Sequence, residues 1–115
     1  MKYELPTKDD LVETPRDTVA DAVIINVDIE TWTQRGLSNE SLQKLTQKEI
    51  DVEAPQCFFT YETGEGFRGD FVAAYYKQPS DRSKLGRILS KYGSAEPGTK
   101  IKVHFNDEGR AEVQL

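Results

Sequence analysis

Two runs rich in aromatic and β-branched residues, Gln56 to Thr63 and Phe67 to Tyr76, flank the tetrapeptide Thr63-Gly64-Glu65-Gly66. A glycine-bearing connection between two such runs is the signature of a β-hairpin and makes the two strands antiparallel neighbours. Which side chains face inward depends on the loop, because successive strand residues point to opposite faces. An even loop puts Phe58, Thr60, Phe67, Phe71, Ala73 and Tyr75 on the core face. Cys57, Phe59, Tyr61, Arg68, Asp70, Val72, Ala74 and Tyr76 then look outward, with Arg68 opposite Tyr61. An odd loop, or a bulge at Gly69, shifts this assignment.

Upstream, Val23, Ile25, Val27 and Ile29 alternate with Ile24, Asn26, Asp28 and Glu30, the period of a half-buried first strand between Ala20 and Thr33. Trp32 continues the polar-side parity, which makes it a candidate stacking platform or a cover for one end of the fold. Ser38 to Ile50 carries Leu42 and Leu45 behind Ser38 or Asn39 as N-cap and allows a short helix. After the hairpin, Ser80 or Asp81 is the expected N-cap of a second helix and Gly93 its stop. Leu85, Ile88, Leu89 and Tyr92 form its apolar stripe, leaving Arg82, Lys84, Arg87 and Lys91 in water. Gly86 inside this helix costs up to ~1 kcal/mol relative to alanine, so either the backbone packs closely there or the position is simply tolerated. Lys100 to Phe105 and Arg110 to Leu115, joined by Asn106-Asp107-Glu108-Gly109, make a closing hairpin with Ile101, Val103, Phe105, Ala111, Val113 and Leu115 inward. Residues 1–18 are polar, contain Pro6 and Pro15, and lack periodicity, so a flexible arm is expected ahead of a single domain at 19–115.

The resulting order, strand, strand, strand, helix, strand, strand, resembles that of the five-stranded OB barrel. The expected fold is therefore mainly β: an OB-like barrel with one helix between strands 3 and 4 and a short helix allowed between strands 1 and 2. The helix Ser83-Lys84-Leu85-Gly86-Arg87-Ile88-Leu89, following an aromatic strand pair, is similar to small phage and mobile-element proteins thought to act in replication. The resemblance implies a binding surface for oligonucleotides or oligosaccharides more than an enzyme.

Charge is unevenly spread. The chain of 115 residues carries −5 overall, yet residues 1–66 hold 14 acidic and 6 basic side chains, whereas residues 67–115 hold 6 and 9. Between Lys77 and Lys102 seven cations face only Asp81 and Glu96, a hint of an anionic partner. No apolar run approaches the ~20 residues of a membrane span, and the first residues lack the apolar stretch of a secretory signal. Cys57 is the only cysteine, so neither an internal disulfide nor a cysteine metal cluster is expected, and a cytoplasmic setting is the simplest expectation.

Catalytic patterns are weak. His104 and Cys57 share no nucleophile–base motif, and together they cannot supply the four ligands of a zinc site. Gly64-x-Gly66-x-x-Gly69 joins two strands and opens no helix, unlike a dinucleotide fingerprint. The expected function is thus non-enzymatic and cofactor-free: single-stranded nucleic-acid binding, DNA ahead of RNA. Bases stack on Phe59, Tyr61, Tyr76 and Trp32, and phosphates meet Arg68, Lys77, Arg82, Lys84 and Arg87. The alternative is a protein-interaction module or small subunit docking a partner through the same aromatic face.

Overall fold

The computed structural model describes residues 3–115. Five strands, β1 (Thr18–Glu30), β2 (Gln56–Thr63), β3 (Arg68–Ala74), β4 (Lys100–Phe105) and β5 (Ala111–Val113), form one antiparallel sheet in the order β3-β2-β1-β4-β5. The sheet curls until β3 meets β5, so the barrel is nearly closed. Helix α1 (Asn39–Gln47) lies between β1 and β2 in the chain, and α2 (Lys84–Tyr92) lies between β3 and β4. This is a mainly β, OB-like barrel. From Tyr3 to β1 the chain is irregular apart from a 3-10 turn at Lys8–Asp10.

Long β1 serves two neighbours. Its first half pairs with β4 from Thr18 to Val23, and its residues from Ala22 to Glu30 pair with β2. The register to β2 slips between Ile24 and Asn26, leaving Ile25 as an extra, bulged residue. A one-residue bulge reverses the inward parity of a strand. Ala22 and Ile24 therefore point into the core before the bulge, and Val27 packs against it afterwards. Ile24, expected on the polar side, is fully buried, while Ile29, expected inward, is 55% exposed where β1 runs past the barrel end.

The β2–β3 hairpin has an odd loop. The Thr63 N–H donates to the Phe67 carbonyl at 2.8 Å, enclosing Gly64, Glu65 and Gly66, and Gly66 adopts φ +90°. That left-handed position is open to glycine at little cost. With three residues in the loop, Phe59 pairs with Phe71, Tyr61 with Gly69, and Arg68 with Glu62. The β2 faces are thus the reverse of the even-loop expectation. Cys57, Phe59, Tyr61 and Thr63 point inward, and Phe58, Thr60 and Glu62 point outward; Phe71 and Ala73 of β3 face the core as expected.

Ile24, Phe59, Tyr61, Ile88, Val103 and Phe105 are the largest fully buried side chains. Phe59 stacks on Phe71 with ring centroids 4.6 Å apart, and Phe67 meets Phe105 edge-on at 5.6 Å. Each such burial removes apolar area worth about 1.5–3 kcal/mol from water.

Helix α2 closes one end of the barrel with Leu85 and Ile88. It begins later than expected, because Ser83 and not Ser80 or Asp81 is the N-cap. The Ser83 Oγ accepts from the Gly86 N–H at 3.0 Å and donates to the Ser80 carbonyl at 2.8 Å. A β-carbon on Gly86 would stand 1.8 Å from that same carbonyl oxygen. Close backbone packing is therefore what requires glycine. At the other end Gly93, at φ +78°, donates to the Leu89 carbonyl, and the Tyr92 hydroxyl donates to the Gln114 carbonyl and accepts from the Lys102 N–H at 3.3 Å.

Candidate interaction site

The aromatic row expected outside the hairpin does not form. Phe59 and Tyr61 are each 1% exposed, held in the core by the odd loop, so neither ring is presented to solvent. Burial raises the Tyr61 phenol above its ordinary value, with nearby Asp70 adding to the effect. Arg68 reaches outward, but at 3.7 Å it pairs with Glu62.

On the outer face of β2 the available ring is Phe58, and it is already covered. Trp32, partly buried, meets it edge-on at 4.9 Å, and the Arg35 guanidinium lies 4.6 Å from its centroid. Arg35 is fixed by Asp28 at 2.9 Å and Glu30 at 3.6 Å. The hydrogen bond to Asp28 holds its pKa above the ordinary value, against a smaller opposing effect of desolvation. This face, with Asp28, Glu30, Glu62 and Asp70 against Arg35 and Arg68, carries more negative than positive charge.

The remaining expected residues sit beyond β3. Tyr76 is 53% exposed, and Lys77, Arg82, Lys84 and Arg87 are all at the surface. Among the described residues none of these four cations, nor Lys91 or Lys100, has a carboxylate partner. Lys84 leans over Phe71, its ammonium 5.6 Å from the ring centroid. Desolvation lowers its pKa, and Glu112 on β5 partly opposes this. Leu85 and Leu89 lie on one flank of the helix, whereas Lys84, Arg87 and Lys91 follow the 3.6-residue period onto the other.

Residues not singled out from the sequence join Tyr76 in an apolar groove of about 590 Å³ between α2 and the end of the barrel. Val27 and Ile29 form its β1 wall, Tyr75 and Tyr76, just past the end of β3, a second wall, and Leu85 and Leu89 its helical wall; Lys77 and Glu96 stand among the lining residues. Ile29, Tyr76 and Leu89 are 55%, 53% and 38% exposed, three of the large apolar side chains left in water, and all three line this groove. The chemistry it offers is desolvation of an apolar ligand, with hydrogen bonding from the Tyr76 hydroxyl and one charge of each sign.

Cys57 also borders the groove, but it is buried, and burial pushes its thiol above the ordinary value, away from nucleophilic character. His104 lies on the outward face of β4, separated from Cys57 by the barrel wall. Among the described residues no helix is long and apolar enough to cross a membrane.

Comparison with family models, with curated proteins and with solved structures matches nothing.

Proposed function

We propose that this barrel is a non-enzymatic protein-interaction module whose docking site is the groove between α2 and the barrel end. One observation carries the reading: Ile29 of β1, Tyr76 in the segment after β3 and Leu89 of α2 converge with their apolar surfaces exposed on a single concavity. Scattered exposed apolar residues need no explanation, but a contiguous set lining a groove marks an interaction surface. The partner would be a protein segment that inserts aliphatic or aromatic side chains into the groove and carries acidic residues beside them. An acidic residue beside those anchors would meet Lys77, the unpaired cation in the groove's lining. A reducing, cytoplasmic setting belongs to the same reading and is supported by the lone, buried Cys57.

A second reading, an OB-type domain for single-stranded nucleic acid similar to small phage and mobile-element replication proteins, is favoured by exposed Tyr76 beside Lys77 and the free cations Arg82 and Arg87. It has lost its stacking row, since Phe59 and Tyr61 are internal, and keeps one fully presented ring where such sites use several.

Fluorescence anisotropy separates the two. The probes are a labelled peptide alternating Asp/Glu with Leu/Phe, and labelled oligothymidylate of ten nucleotides, each titrated at 50 and 300 mM salt. Peptide binding that weakens only modestly with salt and is lost in Leu89→Asp supports the groove. Oligothymidylate binding that falls steeply with salt, with the peptide inert, would hand the surface to nucleic acid.

A further inference from the structure

We infer that the flank of α2 turned away from the groove, with the adjoining start of β4, is a separate second surface that binds the phosphate backbone of a nucleic-acid duplex.

The helix period assembles this surface. At about 100° per residue Lys84, Arg87 and Lys91 fall within an arc of about 60°, and at about 1.5 Å per residue they stand about 4.5 and 6 Å apart along the axis. All three are exposed, and among the described residues none has a carboxylate partner. The last turn of the helix abuts β4, where the Tyr92 hydroxyl accepts from the Lys102 N–H at 3.3 Å. Lys100 and Lys102 both project outward from that strand, so the cations continue from helix to sheet. Two carboxylates oppose them: Glu112 of β5 acts on Lys84, and Asp21 lies 3.8 Å from the Lys102 ammonium. The surface is thus net positive on a chain that carries −5 overall.

Its chemistry selects phosphate over a protein partner. Protein interfaces are built round an apolar, charge-depleted centre, whereas protein–DNA interfaces are polar and strongly positive. Among the described residues no exposed large apolar side chain belongs to this surface. Leu89 is on the groove side of α2, and Val19 pairs with His104, toward the far end of β4.

The lack of a presented ring selects a duplex over a single strand. Single strands gain affinity by stacking their bases on aromatic side chains. Here Phe71 is 7% exposed with the Lys84 ammonium 5.6 Å from its centroid, and half-buried Tyr92 has its hydroxyl engaged by Lys102 and Gln114. Attraction then follows charge density, and a duplex carries one charge per ~1.7 Å of axis against one per ~3.4 Å for a single strand. Contacts to phosphate alone carry no sequence information, so base sequence should not matter.

Fluorescence anisotropy of the full chain with a labelled, mixed-sequence DNA duplex two helical turns long, at about 50 and about 100 mM salt, is the test. Neutralising roughly three to five phosphates predicts binding that weakens about 6- to 20-fold over this doubling of salt. Arg87→Gln combined with Lys91→Gln should weaken it at least ~10-fold at the lower salt and lower the logarithmic salt slope by about 2. Lys44→Gln combined with Lys48→Gln removes the same charge from exposed positions around α1 and should weaken it less than about threefold. One strand of the duplex, tested alone, should bind more weakly than the duplex. Absence of duplex binding at the lower salt up to about 100 µM chain overturns the assignment, as do equal losses in the two double variants. A single strand bound as tightly as the duplex overturns the choice of duplex. Labelled polyglutamate bound more tightly than the duplex overturns it too, and gives the surface to an acidic protein.

Discussion

Phe59 on β2 and Phe71 on β3 lie ring against ring, 14° from parallel, with Phe59 only 1% exposed. Truncating it removes a full aromatic side chain from the centre of the core and leaves a cavity among rigid neighbours. Phe59→Ala should therefore cost about 3–5 kcal/mol, read as a lowered urea midpoint with an unchanged m-value. Arg68→Ala, on the outer face and paired only at 3.7 Å, should change stability by less than about 0.5 kcal/mol. Equal effects of the two substitutions would place Phe59 outside.

Gly86 should resist the usual rule for glycines in helices. Propensity alone makes Gly86→Ala stabilising by up to ~1 kcal/mol. The new β-carbon, however, would stand 1.8 Å from the Ser80 carbonyl oxygen, which is backbone and already accepts from Ser83. Relieving that overlap means opening the N-cap turn, so the substitution should destabilise by about 1–3 kcal/mol. Thermal unfolding shows the sign directly.

At alkaline pH the core should weaken through Cys57 and Tyr61. Burial raises both above their ordinary values of 9.0 and 10.0, so the unfolded chain loses these protons first. Their stabilising contribution is complete below about pH 9 and is lost as pH rises through the folded-state values, at up to ~1.4 kcal/mol per pH unit for each group. Lys84, lowered mainly by desolvation, acts in the opposite direction, but it is exposed and its contribution is small. Denaturant titrations at pH 8 and pH 10.5 should show a marked loss of stability. The double variant Cys57→Ala, Tyr61→Phe should flatten it.

The cover over Phe58 depends on Arg35. Replacing Arg35 with alanine removes the contacts to Asp28 and Glu30 and exposes the ring beneath. About a third of the Arg35 side chain is solvent-exposed, so the expected loss is a screened one of about 0.5–1.5 kcal/mol. Trp32 emission should shift to the red as its contact with Phe58 loosens. Arg35→Lys should restore little, since an ammonium cannot both lie flat on the ring and span two carboxylates.

How far the sequence carried depends on single residues. The inward face of the closing hairpin was legible because Ile101, Val103 and Phe105 alternate without interruption, and they are the inward residues of β4, although its second strand, expected over Arg110 to Leu115, is only Ala111–Val113. On β3 the expected inward pair Phe71 and Ala73 holds as well. On β2 every face turned on whether the loop held two residues or three, and Gly64 and Gly66 both permit either. On β1 one bulged residue, Ile25, separates the expected parity from the observed one, and nothing in an apolar run such as Val23-Ile24-Ile25 marks which residue will bulge. The groove was hidden for a different reason. Ile29 and Leu89 belong to apolar patterns that normally mean core, and only the ends of β1 and α2 in space show that no other element covers them. Tyr76 and the basic residues near α2 were recognisable as surface, and the true N-cap, Ser83, takes Arg82 out of the helix.

Amide shift mapping of the isotopically labelled chain with the alternating acidic–apolar peptide tests the docking surface most directly. The account predicts that the largest shifts cluster at Ile29, Tyr76, Leu89 and Ala95, around the groove, and vanish in Leu89→Asp while the rest of the spectrum stays folded. Shifts centred instead on Thr60, Arg68 and Asp70, on the outer face of β2 and β3, would contradict it.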